Sequence, residues 1–233
     1  MPASPRASSR LLAWGVHALT ASGAVLALLA LRAIVEERPD EALLWLFAAM
    51  IVDGIDGTLA RAAQVKLRVP RIDGEALDLV VDYLTWVFVP ALLIWRMGVL
   101  PDALALPLDA LILVSSLYVF ARRDMKTDDG YFRGFPALWN VVAFYFFVAP
   151  PGQGAAAAIV AALALLTFAP VHVVHPFRVR DYGWWLPATA CVWGVSTAAL
   201  LIRDVPMREA LLIVSLASAA VLAAMGLRRS FRR

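Results

Sequence analysis

Polar surface is what this chain is short of. Only 17% of its 233 residues are charged, 62% are hydrophobic, and the mean hydropathy is +0.76. A soluble domain of this length needs far more polar residues to cover it, so a polytopic membrane protein is the class that remains. Cysteine is almost absent: Cys191 stands alone in an apolar run, which excludes an internal disulfide framework and fits plain packing. Histidine is scarce too, with three residues. His17 falls in the first apolar run, where packing explains it, and His172 and His175 stand three apart beside a helix end. No third nitrogen or sulfur ligand is near them, which argues against a transition-metal centre. The net charge of +3 is too small and dispersed for a nucleic-acid partner. There is no internal repeat and no long linker, so residues 1–233 read as one membrane-embedded domain.

What the chain has is apolar runs. Eight can be traced, over 11–35, 42–60, 76–94, about 103–121, 136–148, 155–171, 184–202 and 210–227. Breaks fall at Pro39, Pro70, Pro101, Pro150-Pro151, Pro176 and Pro206, as they do at helix ends. The pattern predicts an all-α polytopic membrane helix bundle of about eight transmembrane helices. The fifth run is short and can borrow 131–135, while the alanine-rich 155–166 suits close helix packing in lipid. Lys and Arg are unevenly shared between alternate loops. Sixteen lie in the N-terminal arm, loops 61–71, 122–133 and 172–180 and the C-terminal tail, against five in the opposite loops. That bias predicts both termini in the cytoplasm. The first run is about 25 residues long and ends in Arg32 and Glu36-Glu37, so a retained span is expected, not a cleaved leader.

Against this apolar background stands Asp53-Gly54-Ile55-Asp56-Gly57-Thr58-Leu59-Ala60-Arg61, followed by Gly74, Asp78 and Asp82. Each charge at the centre of a spanning helix costs roughly 2.5–3.5 kcal/mol on insertion scales. At about 100° per residue, Asp56, Gly57, Ala60 and Arg61 all share the helical face of Asp53. Gly74, Asp78 and Asp82 advance by about 40° per step and make a second stripe. Asp53 and Asp82 are each about 12 Å along their helices from the basic loop between them. The four carboxylates are therefore expected to converge in a cavity open to the cytoplasm. Hard oxygen ligands point to Mg²⁺ or Mn²⁺, and two such ions would balance four aspartates and grip a diphosphate. Gly57 and Ala60 leave room for a nucleotide, and Arg61 can meet a phosphate. Asp73 and Glu75 are expected to pair with loop cations such as Arg61, Lys66, Arg68 and Arg71, or to sit in solvent.

At these residues the sequence resembles the CDP-alcohol phosphotransferase family, whose pattern is Asp-x2-Asp-Gly-x2-Ala-Arg, usually eight residues, then Gly-x3-Asp-x3-Asp. Every fixed position is matched, by Asp53, Asp56, Gly57, Ala60, Arg61, Gly74, Asp78 and Asp82. The gap departs from the pattern: twelve residues, 62–73, stand where eight are usual. The longer gap, with Gly54, is similar to the bacterial phosphatidylcholine synthase branch. So are the stretch from Met125-Lys126-Thr127-Asp128-Asp129-Gly130 to Trp139-Asn140 and the segment His175-Pro176-Phe177-Arg178-Val179.

The resemblance implies that choline attacks the β-phosphorus of CDP-diacylglycerol, giving phosphatidylcholine and CMP at the inner membrane. Asp82 would be the catalytic base, Asp53, Asp56, Asp78 and Asp82 the ligands of two ions in the family's manner, and Asp53, Gly57, Ala60, Arg61, Gly74 and Asp78 the nucleotide and phosphate side. A homodimer is also implied. A quaternary ammonium cannot donate a hydrogen bond, so aromatic faces are expected around choline. The candidates are Tyr83 and Trp86, next to Asp82, and Tyr131, Phe132 and Trp139; Asp128-Asp129 offers a counter-charge or a cap. Two other readings stay open here. A sister transferase could use serine, glycerol phosphate or inositol phosphate, and a cation transporter could line its path with membrane carboxylates.

Overall fold

Every apolar run forms a helix in the computed structural model, which describes residues 7–231. In chain order the helices are α1 (Ala7–Val35), α2 (Pro39–Ala62), the single turn α3 (Val65–Arg68), α4 (Gly74–Asp82), α5 (Val89–Arg96), α6 (Asp102–Ala121), α7 (Trp139–Val148), α8 (Gln153–Leu166), α9 (Trp185–Leu200) and α10 (Arg208–Phe231). Two short strands, β1 (Phe132–Arg133) and β2 (His172–Val173), complete the described elements. The fold is an all-α polytopic membrane bundle. Five segments are long and apolar enough to cross a bilayer: Arg10–Val35, Pro39–Ala62, Gly74–Arg96, Asp102–Ala121 and Arg208–Phe231. The apolar helices α7, α8 and α9 have 10, 14 and 16 residues, below the roughly 20 that a perpendicular crossing takes. Arg6 in the N-terminal arm and Arg232 and Arg233 in the tail, which enter the charge bias, lie outside the described residues.

The chain divides into two compact units, one up to Leu93 and one from Ile94. In the first, α1 packs on α2, α3 and α4. Ala13 and Val16 of α1 share a buried cluster with Ala63, Val65 and Val69, and Ala60 packs against it. Small residues let backbones approach in lipid. Gly23 is such a place: a Cβ there would lie 2.5 Å from Val81 Cγ1 on α4. Between α4 and α5 a π turn, Tyr83–Phe88, keeps the rod Gly74–Arg96 continuous. One residue beyond it, after Val89, comes Pro90, which has no N–H to give and crowds the preceding turn. The π turn begins at the residue after Asp82, and such turns gather at functional sites.

In the second unit α6 packs on α8, and α10 packs on α9 and β2. Strands β1 and β2 pair antiparallel, Phe132 opposite Val173 and Arg133 opposite His172. Helix α7 starts at Trp139, three residues later than the apolar run. The chain ahead of it is held by α8, since Phe135 donates its N–H to the Leu166 carbonyl at 3.1 Å and Gly134 to Val171 at 2.7 Å. Only glycine fits at 134: φ is +77°, and a Cβ would stand 2.2 Å from the Thr167 carbonyl oxygen. Helix α8 correspondingly stops at Leu166, short of Pro170, which cannot continue the α ladder.

Candidate active site

Asp53 on α2 and Asp78 and Asp82 on α4 come together. Each half-buried carboxylate offers an oxygen, and these oxygens all lie within 4.8 Å of one another. At an effective dielectric of about 20, two unit charges at that distance repel by roughly 3 kcal/mol. A group of three is therefore suited to a cation. With oxygen donors and neither His nor Cys in the group, a hard divalent ion is the one that fits.

Asp56, the fourth acid of the pattern, is not in that group of three. It is only 4% exposed, and its Oδ2 accepts the Thr20 hydroxyl of α1 at 2.6 Å. Helix α1 thus touches the acidic site directly, a role the apolar character of its sequence concealed. The signal was there as a polar pair three residues apart, His17 and Thr20, inside an otherwise apolar helix. Both are buried. Among the described residues, His17 Nε2 is one of two buried side-chain atoms without a hydrogen-bond partner; the other is Asp109 Oδ1 on α6.

The remaining residues of the pattern fall as follows. Arg61 donates through Nη2 to Thr58 Oγ1 at 2.9 Å, and its Nη1 is 3.6 Å from where a Cβ on Gly57 would be. The guanidinium therefore lies back along its own helix. Ala60 packs against the apolar cluster of Ala13 and Val16. Gly74 opens α4 and lies against the His17 ring, whose Cε1 would be 3.1 Å from an added Cβ. The loop acids divide their work. Glu75 pairs with Lys66 at 2.6 Å, with both side chains at least 75% exposed, which contributes little to stability. Asp73 is the N-cap of α4, accepting from the N–H groups of Glu75 and Ala76 at 3.0 and 3.1 Å.

The aromatic candidates differ in setting. Tyr83 and Trp86 are half-buried on the π turn that follows Asp82. Tyr131 is fully buried with Val174, Val179 and Leu186, and its hydroxyl donates to Asp181 at 2.9 Å. Burial and the Asp181 charge push the phenol well above its ordinary range. Trp139 is also fully buried and gives its indole N–H to Ser116 Oγ at 2.9 Å. Phe132 is half-buried and stacks on His175 at 5.6 Å and 10°, with the Lys126 ammonium 5.1 Å from its ring centre. Burial, then the nearby Arg178 and Lys126 charges, lower His175 to about 4, so it is neutral at pH 7. Asp129 pairs with Arg229 at 2.9 Å. Thr127 and Arg229 hold its carboxyl below the usual range.

No family model matches the chain. Curated relatives do. The phosphatidylcholine synthase of Pseudomonas aeruginosa is 50% identical over 192 residues, covering 82% of this chain and 81% of that protein. That of Bradyrhizobium diazoefficiens is 44% identical over 200 residues, 86% of this chain and 75% of the relative. A third, from Legionella pneumophila, is 35% identical over 199 residues, 82% and 78% of the two chains.

Proposed function

We propose a metal-dependent transfer reaction for this chain, which belongs to the bacterial phosphatidylcholine synthases. It is a transferase of phospholipid biosynthesis that moves the phosphatidyl group of CDP-diacylglycerol to choline and releases CMP. The observation that carries the metal-dependent reading is the convergence of Asp53, Asp78 and Asp82 within 4.8 Å.

Asp53, Asp56, Asp78 and Asp82 are the residues proposed to hold Mg²⁺ or Mn²⁺, two ions in all. Bound there, the ions supply positive charge to the diphosphate oxygens and to the departing CMP. Asp82 accepts the proton of the choline hydroxyl. The freed oxygen forms a bond to the β-phosphorus, the bond from that phosphorus to the bridging oxygen breaks, and the electron pair leaves with CMP. Direct transfer is the simpler course, since no activated Ser or Cys accompanies the acids. On the nucleotide side, Gly57, Ala60, Arg61 and Gly74 border the donor together with Asp53 and Asp78. For choline, Tyr83 and Trp86 are adjacent to Asp82 in sequence, and Tyr131, Phe132 and Trp139 belong to the synthase-like stretch 125–140. Residues 1–233 are proposed to work as one membrane-embedded domain of a homodimer, with the acids facing the cytoplasm at the inner membrane.

The test is a purified preparation given CDP-diacylglycerol and Mn²⁺, with choline, serine or glycerol 3-phosphate offered in turn. Phosphatidylcholine should form with choline alone. EDTA should stop turnover and Mn²⁺ or Mg²⁺ restore it, while alanine at Asp53, Asp56, Asp78 or Asp82 should abolish it with membrane insertion intact. Turnover that survives thorough chelation would end the metal-dependent mechanism.

A further inference from the structure

His17 lies 6% exposed in α1, and its Nε2 has no hydrogen-bond partner. Leaving a buried polar atom unsatisfied costs about 1–3 kcal/mol, and such atoms are rare enough in native folds to need a reason. Packing alone would be served better by an apolar ring of the same size.

The ring's surroundings supply the reason. Its Cε1 and Nδ1 lie 3.1 and 3.6 Å from where a Cβ on Gly74 would be. Nε2 is not among the atoms within 4 Å of that place, so it is the Cε1–Nδ1 edge that faces Gly74 and Nε2 points elsewhere in the same buried surroundings. Gly74 precedes Asp78 by one helical turn on α4, about 6 Å along the axis. Thr20, one turn beyond His17 on α1, donates to Asp56. The edge of Trp14 meets the His17 ring at 6.2 Å and 70°. His17 therefore stands at the loop-side edge of the acidic site, with one nitrogen to spare. It is not part of the ligand group formed by Asp53, Asp78 and Asp82, and a nitrogen donor is a poor match for a hard cation.

The donor lipid has two unlike halves. Its acyl chains stay in the membrane, whereas the CMP half is polar, soluble and must leave toward the loop side. We propose that His17 is a binding residue for that CMP half, donating through Nε2 to one of its oxygens. Gly74 is the small residue that lets the ring lie against the start of α4. This assignment rests on the proposed transfer reaction and extends it to a helix outside the aspartate pattern.

Two amide variants of the full chain separate the ring nitrogens. His17→Gln places an amide near the position of Nε2, and His17→Asn near that of Nδ1. CMP binding to the purified protein in detergent with Mn²⁺ is read by calorimetry, beside the KM for CDP-diacylglycerol and for choline. His17→Asn and His17→Phe should weaken CMP binding and raise the donor KM about tenfold. His17→Gln should recover most of both, and the choline KM should stay put. CMP binding equal to wild type in the folded Asn variant would overturn the assignment, as would a Gln variant as weak as Asn. If Asp78→Asn kept full turnover, the transfer site itself would be misplaced, whatever His17 does.

Discussion

The Thr20 hydroxyl and the Asp56 carboxylate meet at 2.6 Å across 36 residues of chain, both of them buried. The same hydroxyl is 3.4 Å from the Val16 carbonyl of its own helix. It has one proton to give, and the shorter distance decides for Asp56. That bond engages Oδ2, so Thr20 fixes how the Asp56 carboxylate is held.

Thr20→Val keeps the shape and removes the donor. Losing the outer-shell partner of a proposed metal ligand typically costs about 10–100-fold in metal affinity, so the Mn²⁺ concentration for half-maximal binding should rise at least about tenfold. Thr20→Ser, which keeps the hydroxyl, should stay near wild type. Manganese binding to the purified protein, followed by the loss of the free-ion EPR signal, checks this without relying on turnover. A valine variant that binds Mn²⁺ like wild type would reduce Thr20 to packing.

For choline, ring removal should act on the acceptor and spare the donor. Tyr83→Ala, Trp86→Ala and Phe132→Ala concern half-buried rings, where a cation–π contact is worth about 0.5–2 kcal/mol. At least one of them should raise the choline KM about tenfold, with the CDP-diacylglycerol KM unchanged. Tyr131 and Trp139 are fully buried, and alanine there should cost about 3–5 kcal/mol of stability. For these two, Tyr131→Phe and Trp139→Phe are the informative variants. Wild-type choline KM in every folded variant would move the acceptor pocket away from all five rings.

Orientation has its own measurement. Sixteen of the 21 Lys and Arg residues lie on one set of alternate loops, which predicts termini reachable only from the cytoplasm. Tags at both ends should be protected in intact cells, and a cysteine introduced near Gly152 should be labelled from outside. A C-terminal tag labelled from outside would mean an odd number of crossings, with the short α7 as the first segment to re-examine.

Acid should loosen the β1–β2 region through His175. Its folded value is lowered to about 4 from the ordinary 6.5, so between those values the unfolded chain holds a proton that the folded protein does not. Stability from the neutral ring is then fully present above about 6.5 and is lost as pH falls toward about 4. His175→Phe keeps a ring to stack on Phe132 and should flatten this part of the Tm–pH curve. An unchanged acid slope in that variant would assign the titration to another group.

The sequence by itself determined the class of protein and the chemistry it holds. Hydrophobic runs and helical periodicity are local properties, so the eight helical segments and the two acidic stripes could be read residue by residue. A bare count of apolar residues also overstated what α7 and α8 contain, because Pro136 and Pro170 lie inside apolar runs but outside the helices. Only the tertiary structure decided what each acid meets. Asp53 comes within reach of Asp78 and Asp82, and Asp56 meets Thr20 of α1. It likewise brought the stretch around Phe132 onto His172 and His175, and Asp129 onto Arg229, 100 residues away. The reason is distance along the chain. Such pairings depend on how closely two backbones approach, as Gly23 allows under Val81 and Gly134 beside Thr167. No local pattern of residue types encodes that approach until the helices are packed.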